Sequence, residues 1–211
     1  MLTLAVDTTA EFGSISLGNS EVLLHEPKGF SGVLFEQIEK LLEREGAALG
    51  DIELLAGASG PGSFTGVRIG LAAIKGLAEV LGKPAIAISN LEALAQFGTA
   101  DLRATILDAK RGEIYGALFD GRGGRVMEET VIAFPKFLEL LDGREFEWIS
   151  TGFEPFRQAA GNMPVVTAPR ALAGTIAQLA IRKFRAGAIC DPAAIEANYV
   201  RRSDAEIFWK G

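Results

Sequence analysis

The chain has 211 residues, 48% of them hydrophobic, which excludes a disordered or fibrous class and suits one large domain or two small lobes with a proper core. A net charge of −6 excludes a surface that grips nucleic acid by bulk charge and leaves only a local basic patch for that role. One cysteine, Cys190, excludes an intramolecular disulfide, fits a reducing compartment and reads as a small buried apolar residue.

The amino terminus, Met1-Leu2-Thr3-Leu4-Ala5-Val6-Asp7, lacks the basic start and cleavage site of a signal peptide and leads straight into a strand over residues 3–6. No uninterrupted apolar run reaches the ~18 residues of a membrane span, so the expectation is a cytoplasmic protein that does not cross a membrane. The strand ends at Asp7-Thr8-Thr9, and Gly13-Ser14-Ile15-Ser16-Leu17-Gly18 returns with alternating apolar residues, with a third strand over 21–24. An acid at Asp7 could orient a metal-bound water or a ribose; equally, Asp7, Thr8 and Thr9 are ordinary turn residues. The single histidine, His25, stands beside Glu26, Pro27 and Lys28 and reads as a solvated loop residue. One His and one Cys, far apart, make no transition-metal site, and no metal is expected.

Residues 30–45 form an amphipathic helix with Leu34, Ile38 and Leu41 on one face, ended by Gly46. Phe35 and Leu42 make a second apolar pair one heptad apart. Either the helix is covered on two sides or this second stripe meets a partner.

Residues 52–58 read as a buried strand, and Gly60, Pro61 and Gly62 break it into a tight turn. Ser63 or Thr65 can cap the helix that follows. Its apolar face carries Val67, Leu71, Ile74, Ala78 and Leu81, and a second face of Gly66, Gly70, Ala73 and Leu77 is mostly small. The glycines do not form a known phosphate loop. The Walker pattern needs Gly-Lys-Ser/Thr, but Val67 and Arg68 follow Gly66; the dinucleotide fingerprint meets Thr65 where its last glycine belongs.

After the turn Gly82-Lys83-Pro84 come a strand over 85–88 and a capping-box pattern, Ser89-Asn90-Leu91-Glu92, which opens a helix to about Phe97. The second half then begins again. A strand over 104–107 ends at Asp108-Ala109-Lys110-Arg111-Gly112, residues 113–119 return, and 126–132 add a third strand. Helices are expected over 135–141, over 153–160, and from Leu172 to Phe184, with a strand at 147–151. Lobes of residues 1–100 and 101–211 follow, in an α/β chain whose halves each hold a mixed sheet and helices.

That tandem order is similar to the actin-like ATPase (ASKHA) fold, in which hairpin turns of each lobe hold ATP phosphates. The resemblance makes Asp7, Thr8, Thr9 and Asp108 the candidate nucleotide-binding residues. Thr9 stands where that fold expects glycine, and a β-branched residue resists positive φ and crowds a phosphate. Weak or repurposed nucleotide binding is the expectation, with phosphotransfer or ATP hydrolysis as the alternative activity.

Gly60-Pro61-Gly62-Ser63-Phe64-Thr65-Gly66-Val67-Arg68-Ile69-Gly70, with Ala73, Lys75 and Gly76, resembles the signature of the TsaB (YeaZ-type) family. Leu4-Ala5-Val6-Asp7-Thr8-Thr9, Ser89-Asn90-Leu91-Glu92-Ala93-Leu94, Asp108-Ala109-Lys110-Arg111-Gly112-Glu113-Ile114-Tyr115, and Tyr199-Val200-Arg201 with Ala205-Glu206 agree with it. The resemblance implies a role in forming threonylcarbamoyladenosine next to the anticodon of tRNAs that read codons beginning with A. It implies a heterodimer with the catalytic paralogue TsaD, whose first helix carries two metal-binding histidines, and work with the ATPase TsaE. This chain lacks those histidines and has Phe30 where the family often has His, so a non-catalytic subunit is implied. Phe35, Leu42, Gly70, Ala73 and Leu77 are the implied contacts with TsaD or with another copy. No cofactor of its own is implied, with ATP or ADP at a partner interface, and tRNA reached only through the complex. A glycoprotease-like peptidase, suggested by kinship with TsaD-like proteins, has only His25 to support it.

Overall fold

The computed structural model describes residues 1–26, 29–188 and 190–201. Strand β1 (Thr3–Asp7) is buried along its whole length because it lies at the centre of a sheet, flanked on both sides. β2 (Phe12–Leu17) pairs with it antiparallel, placing Ser14 opposite Asp7, and β3 (Ser20–His25) extends the hairpin. β4 (Leu54–Gly60) and β5 (Ala85–Ser89) add parallel strands on the other side, giving the order β3-β2-β1-β4-β5. Parallel neighbours need crossovers, and α2 (Phe64–Leu81) supplies the one between β4 and β5. α1 (Leu34–Glu45) joins β3 to β4, preceded by a 3₁₀ turn at Phe30–Gly32. The helix therefore starts four residues later than its apolar pattern suggests, although Phe30 is still buried in the core.

The second sheet repeats this topology. β6 (Leu102–Lys110), β7 (Glu113–Asp120) and β8 (Arg125–Ala133) are antiparallel, and β9 (Glu147–Ser150) and β10 (Val165–Thr167) follow in parallel, in the order β10-β9-β6-β7-β8. α3 (Asn90–Leu94) follows β5, and α4 (Phe134–Leu140) joins β8 to β9. Two expectations fail between β9 and β10. Residues 153–160 are not a helix but hold a single 3₁₀ turn, Glu154–Phe156, and β10 had no visible signal. Residues three apart eclipse in a 3₁₀ turn, so Phe153 and Phe156 both join Phe134, whose ring also meets Trp148. Three strand residues after Pro164 are too few to show alternation.

Among the described residues the chain divides into one unit of Met1–Asn90 with Arg170–Asn198, and another of Leu91–Pro169 that resumes at Tyr199. In place of the single boundary expected at residue 100, the chain passes between units three times, after Asn90, Pro169 and Asn198. α5 (Ala173–Arg185), expected in the second lobe, packs on β1, β4 and β2 of the first. Its buried Ile176, Ala177 and Ala180 need an apolar sheet face, and no cap precedes it in sequence. Ser14 Oγ of β2 serves as the cap instead, accepting from Leu172 N–H at 3.0 Å and Ala173 N–H at 2.9 Å. Glu21 Oε1 of β3 accepts from Gly174 N–H at 2.9 Å.

Smaller corrections concern two side chains. His25 ends β3 instead of standing in a loop, stacked on Phe12 at 4.5 Å between ring centres, with Nε2 3.4 Å from Glu11 Oε1. Cys190 is half-buried, not core. Its Sγ faces Ala188 O at 3.0 Å, and burial pushes the thiol up from its ordinary range. Pro27, Lys28 and the Ala205-Glu206 part of the closing motif lie outside the described residues.

Candidate functional site

β1 delivers Asp7 into a buried turn where its carboxylate meets donors from three segments. Oδ1 accepts from Thr9 N–H at 2.9 Å and Thr9 Oγ1–H at 2.7 Å. Oδ2 accepts from Asn90 Nδ2 at 3.1 Å, and the same amide donates to Thr9 Oγ1 at 2.9 Å. Asn90 Oδ1 in turn accepts from Gly60 N–H at 3.1 Å, tying the glycine-rich turn to β1. Burial raises the Asp7 carboxyl above its ordinary range, the Thr9 and Asn90 donors pull it down, and the charge of Glu21 adds to the rise.

The central glycine run closes over this turn. Ser63 caps α2 by accepting from Gly66 N–H at 3.2 Å, and its own N–H donates to Thr9 O at 2.6 Å. Thr8 Oγ1 donates to Gly66 O at 2.7 Å. A Cβ on Gly62 would collide with Thr9 O, one on Gly66 with Thr8 O, and one on Gly70 would stand 2.6 Å from Thr8 Oγ1. The glycines are there so that α2 can lie against the β1 turn. The side chains of Asp7, Thr8 and Thr9 are buried, and Thr9 N–H points at Asp7. This is not a phosphate cradle, which needs backbone N–H groups turned outward. The side chains of Asp7, Thr8 and Thr9 are engaged within the chain.

Asp108 occupies the corresponding place at the end of β6 but is partly exposed. Burial would raise its carboxyl, but Lys110 outweighs that, donating from Nζ at 2.9 Å and from N–H at 2.7 Å, and holds it below the usual carboxylate range. Lys110 and Arg111 have φ of 64° and 57°, a left-handed turn uncommon for side chains with a Cβ. Arg201 braces this hairpin through Glu113 and Ala109 O, the latter at 2.8 Å.

The residues proposed for partner contact separate into two groups. Phe35, Leu42 and Leu77 come together along α1 and α2, lining an open groove of about 390 Å³ with Ile38, Ala47 and Leu49. Glu39 and Glu43 rim it. Phe35 is 56% exposed and Leu49 41%, and Val80 on α2 is 84% exposed. Gly70 and Ala73 do not join them. Both are buried within their own unit, Gly70 against Thr8 and Ala73 in the core cluster. Their smallness serves the packing of α2 onto its own sheet, which corrects their place in an interface. The residue that sequence reasoning missed is Asn90. Its only local signal was a capping pattern; its partners lie 30 to 83 positions away.

Among the described residues there is no group of three or more His, Cys, Asp or Glu placed to hold a metal, and no helix is long and apolar enough to cross a membrane. The family model for TsaD, tRNA N6-adenosine threonylcarbamoyltransferase, matches residues 28–206. The tRNA threonylcarbamoyladenosine biosynthesis protein TsaB of Escherichia coli is 34% identical over 164 residues, 72% of this chain and 71% of that one. The Bacillus subtilis protein of the same name is 32% identical over 69% of this chain and 68% of its own. A solved Pseudomonas aeruginosa protein, described as similar to peptidase YEAZ, superposes with a TM-score of 0.81 at 24% identity, covering 95% of this chain and 99% of its own.

Proposed function

The chain belongs to the TsaB family, and on that premise we propose that it is a non-catalytic subunit for tRNA threonylcarbamoyladenosine biosynthesis in the cytoplasm. It docks a TsaD-type transferase through the groove between α1 and α2, and TsaE completes the assembly. The observation that carries this is Phe35, a large apolar side chain more than half exposed beside Leu42 and Leu77. Exposed aromatics beside an apolar groove are the usual anchors of an interface. The metal-binding histidines implied for TsaD have no counterpart on α1, Leu34–Glu45, which contains no histidine.

On this reading ATP or ADP sits at the interface with the partner, because the side chains of Asp7, Thr8 and Thr9 are already engaged within the chain. Another copy of the chain can occupy the same face when the transferase is absent. The test is co-purification with the TsaD-type transferase and TsaE, and threonylcarbamoylation of a tRNA that reads A-starting codons. A stable complex is expected, with modification only when this chain is present. Failure to assemble, with or without nucleotide, rejects the proposal.

A further inference from the structure

The groove between α1 and α2 has a rim of one charge. Phe35, Ile38 and Leu42 line it from α1 at helical spacing, and Leu77 lines it from α2. Glu39 and Glu43, one turn apart on α1, line the same groove and are exposed. The other charges of α1 are matched within the helix. Lys40 Nζ donates to Glu36 Oε1 at 2.5 Å, and Arg44 Nε donates to Glu45 Oε1 at 3.1 Å. Glu36 foremost, with Glu43 a lesser charge nearby, holds the Lys40 ammonium above its ordinary range. Among the described residues, neither Glu39 nor Glu43 makes a hydrogen bond or an ion pair of its own.

An apolar strip two helical turns long is a surface that takes the apolar face of another helix. Carboxylates at its rim favour a partner that brings cations to them and disfavour one that brings more carboxylates. Glu39 and Glu43 stand at positions i and i+4, so the matching helix carries two cations about one turn, ~6 Å, apart. A second copy of this chain is a poorer match. It presents the same patch, with Lys40 and Arg44 already engaged by Glu36 and Glu45, and it adds two further carboxylates.

We infer that the groove selects an apolar helix flanked by lysine or arginine, and that Glu39 and Glu43 set its preference for the transferase over a second copy of this chain. The inference rests on the proposed docking of the transferase at this groove. It adds the chemistry of the partner surface and the residues that discriminate.

The test measures binding of the full chain to the purified TsaD-type transferase at low and high salt, by surface plasmon resonance, and self-association by sedimentation velocity. Wild type is compared with Glu39→Gln plus Glu43→Gln, which keeps good helix formers; circular dichroism confirms its fold. The control, Glu139→Gln plus Glu145→Gln, makes the same change in net charge outside the groove. At low salt the groove variant loses affinity about three- to thirtyfold, mostly through slower association. At about 1 M salt it matches wild type, because charges are screened beyond about 3 Å. The control matches wild type at both, and the groove variant associates with itself at least as strongly as wild type does. Equal affinity of groove variant and wild type at low salt overturns the inference, as does a loss undiminished by salt or an equal loss in the control. So does weaker self-association with transferase binding intact, for then the rim serves a second copy. In each of these cases wild type still binds the transferase and the proposed function stands. Wild type that binds no transferase at either salt rejects both.

Discussion

The Asn90 side chain, 83 residues away in sequence, donates to the buried carboxylate of Asp7. It holds Asp7 and Thr9 on one side and the Gly60 backbone on the other. Asn90→Leu leaves a carboxylate oxygen and a backbone N–H without this partner in the interior. Stranded buried polar groups cost about 1–3 kcal/mol each, so a loss of about 2–5 kcal/mol is expected in urea denaturation. A loss below about 1 kcal/mol would show that water replaces the amide at no real cost.

Asp7 also sets a pH dependence. Its carboxyl is raised in the folded chain, mainly by burial, so the native state holds this proton more tightly than the unfolded chain. Its contribution to stability therefore falls as pH rises from the ordinary value of 3.8 through the folded value. Within that window the loss approaches about 1.4 kcal/mol per pH unit. Asp7→Asn does not titrate, whatever constant cost its amide brings. Its stability relative to wild type should rise with pH across the window; a relative fall would mean that the Thr9 and Asn90 donors outweigh burial.

Two glycines of α2 should respond oppositely to alanine. Gly66→Ala sets a methyl group into the backbone oxygen of Thr8, which has no flexible side chain to give way, and should cost several kcal/mol or prevent folding. Gly76 is exposed with nothing within 4 Å of an added Cβ, so Gly76→Ala should stabilise the helix by about 0.5–1 kcal/mol. Thermal denaturation of both variants checks the pair.

Ser14 anchors α5 from another strand. Ser14→Ala removes the acceptor for Leu172 and Ala173 N–H, and a lost cap costs about 1–2 kcal/mol. Hydrogen exchange should quicken at the first turn of α5 more than in α2. Uniform quickening across both helices would mean that this end does not open locally.

Phe35→Glu separates docking from folding. The side chain is more than half exposed, so stability should change by less than about 0.5 kcal/mol. Affinity for the transferase should fall more than tenfold, as when an anchor is replaced by a charge. Titration calorimetry on the purified proteins decides; unchanged affinity moves the interface elsewhere.

The strands other than β10, the hairpins, the glycine turn and the helix capped at Ser63 or Thr65 were legible in the sequence, because each rests on signals a few residues apart: alternation, helical spacing, a cap, a breaker. The repeated order of elements was legible for the same reason, and the resemblance of the Gly60–Gly70 run brought the family with it. Tertiary structure alone decided which small residues face inward. Gly70 and Phe35 both looked like surface for a partner, yet Gly70 lies against Thr8 while Phe35 stands exposed. It alone assigned α5 to the first sheet and gave that helix a cap from Ser14, 158 positions away. It alone closed the Asp7 turn with Asn90. A periodic pattern specifies that a face is buried but not against what, because the partner of a buried polar atom is whichever group the completed fold brings within about 3 Å.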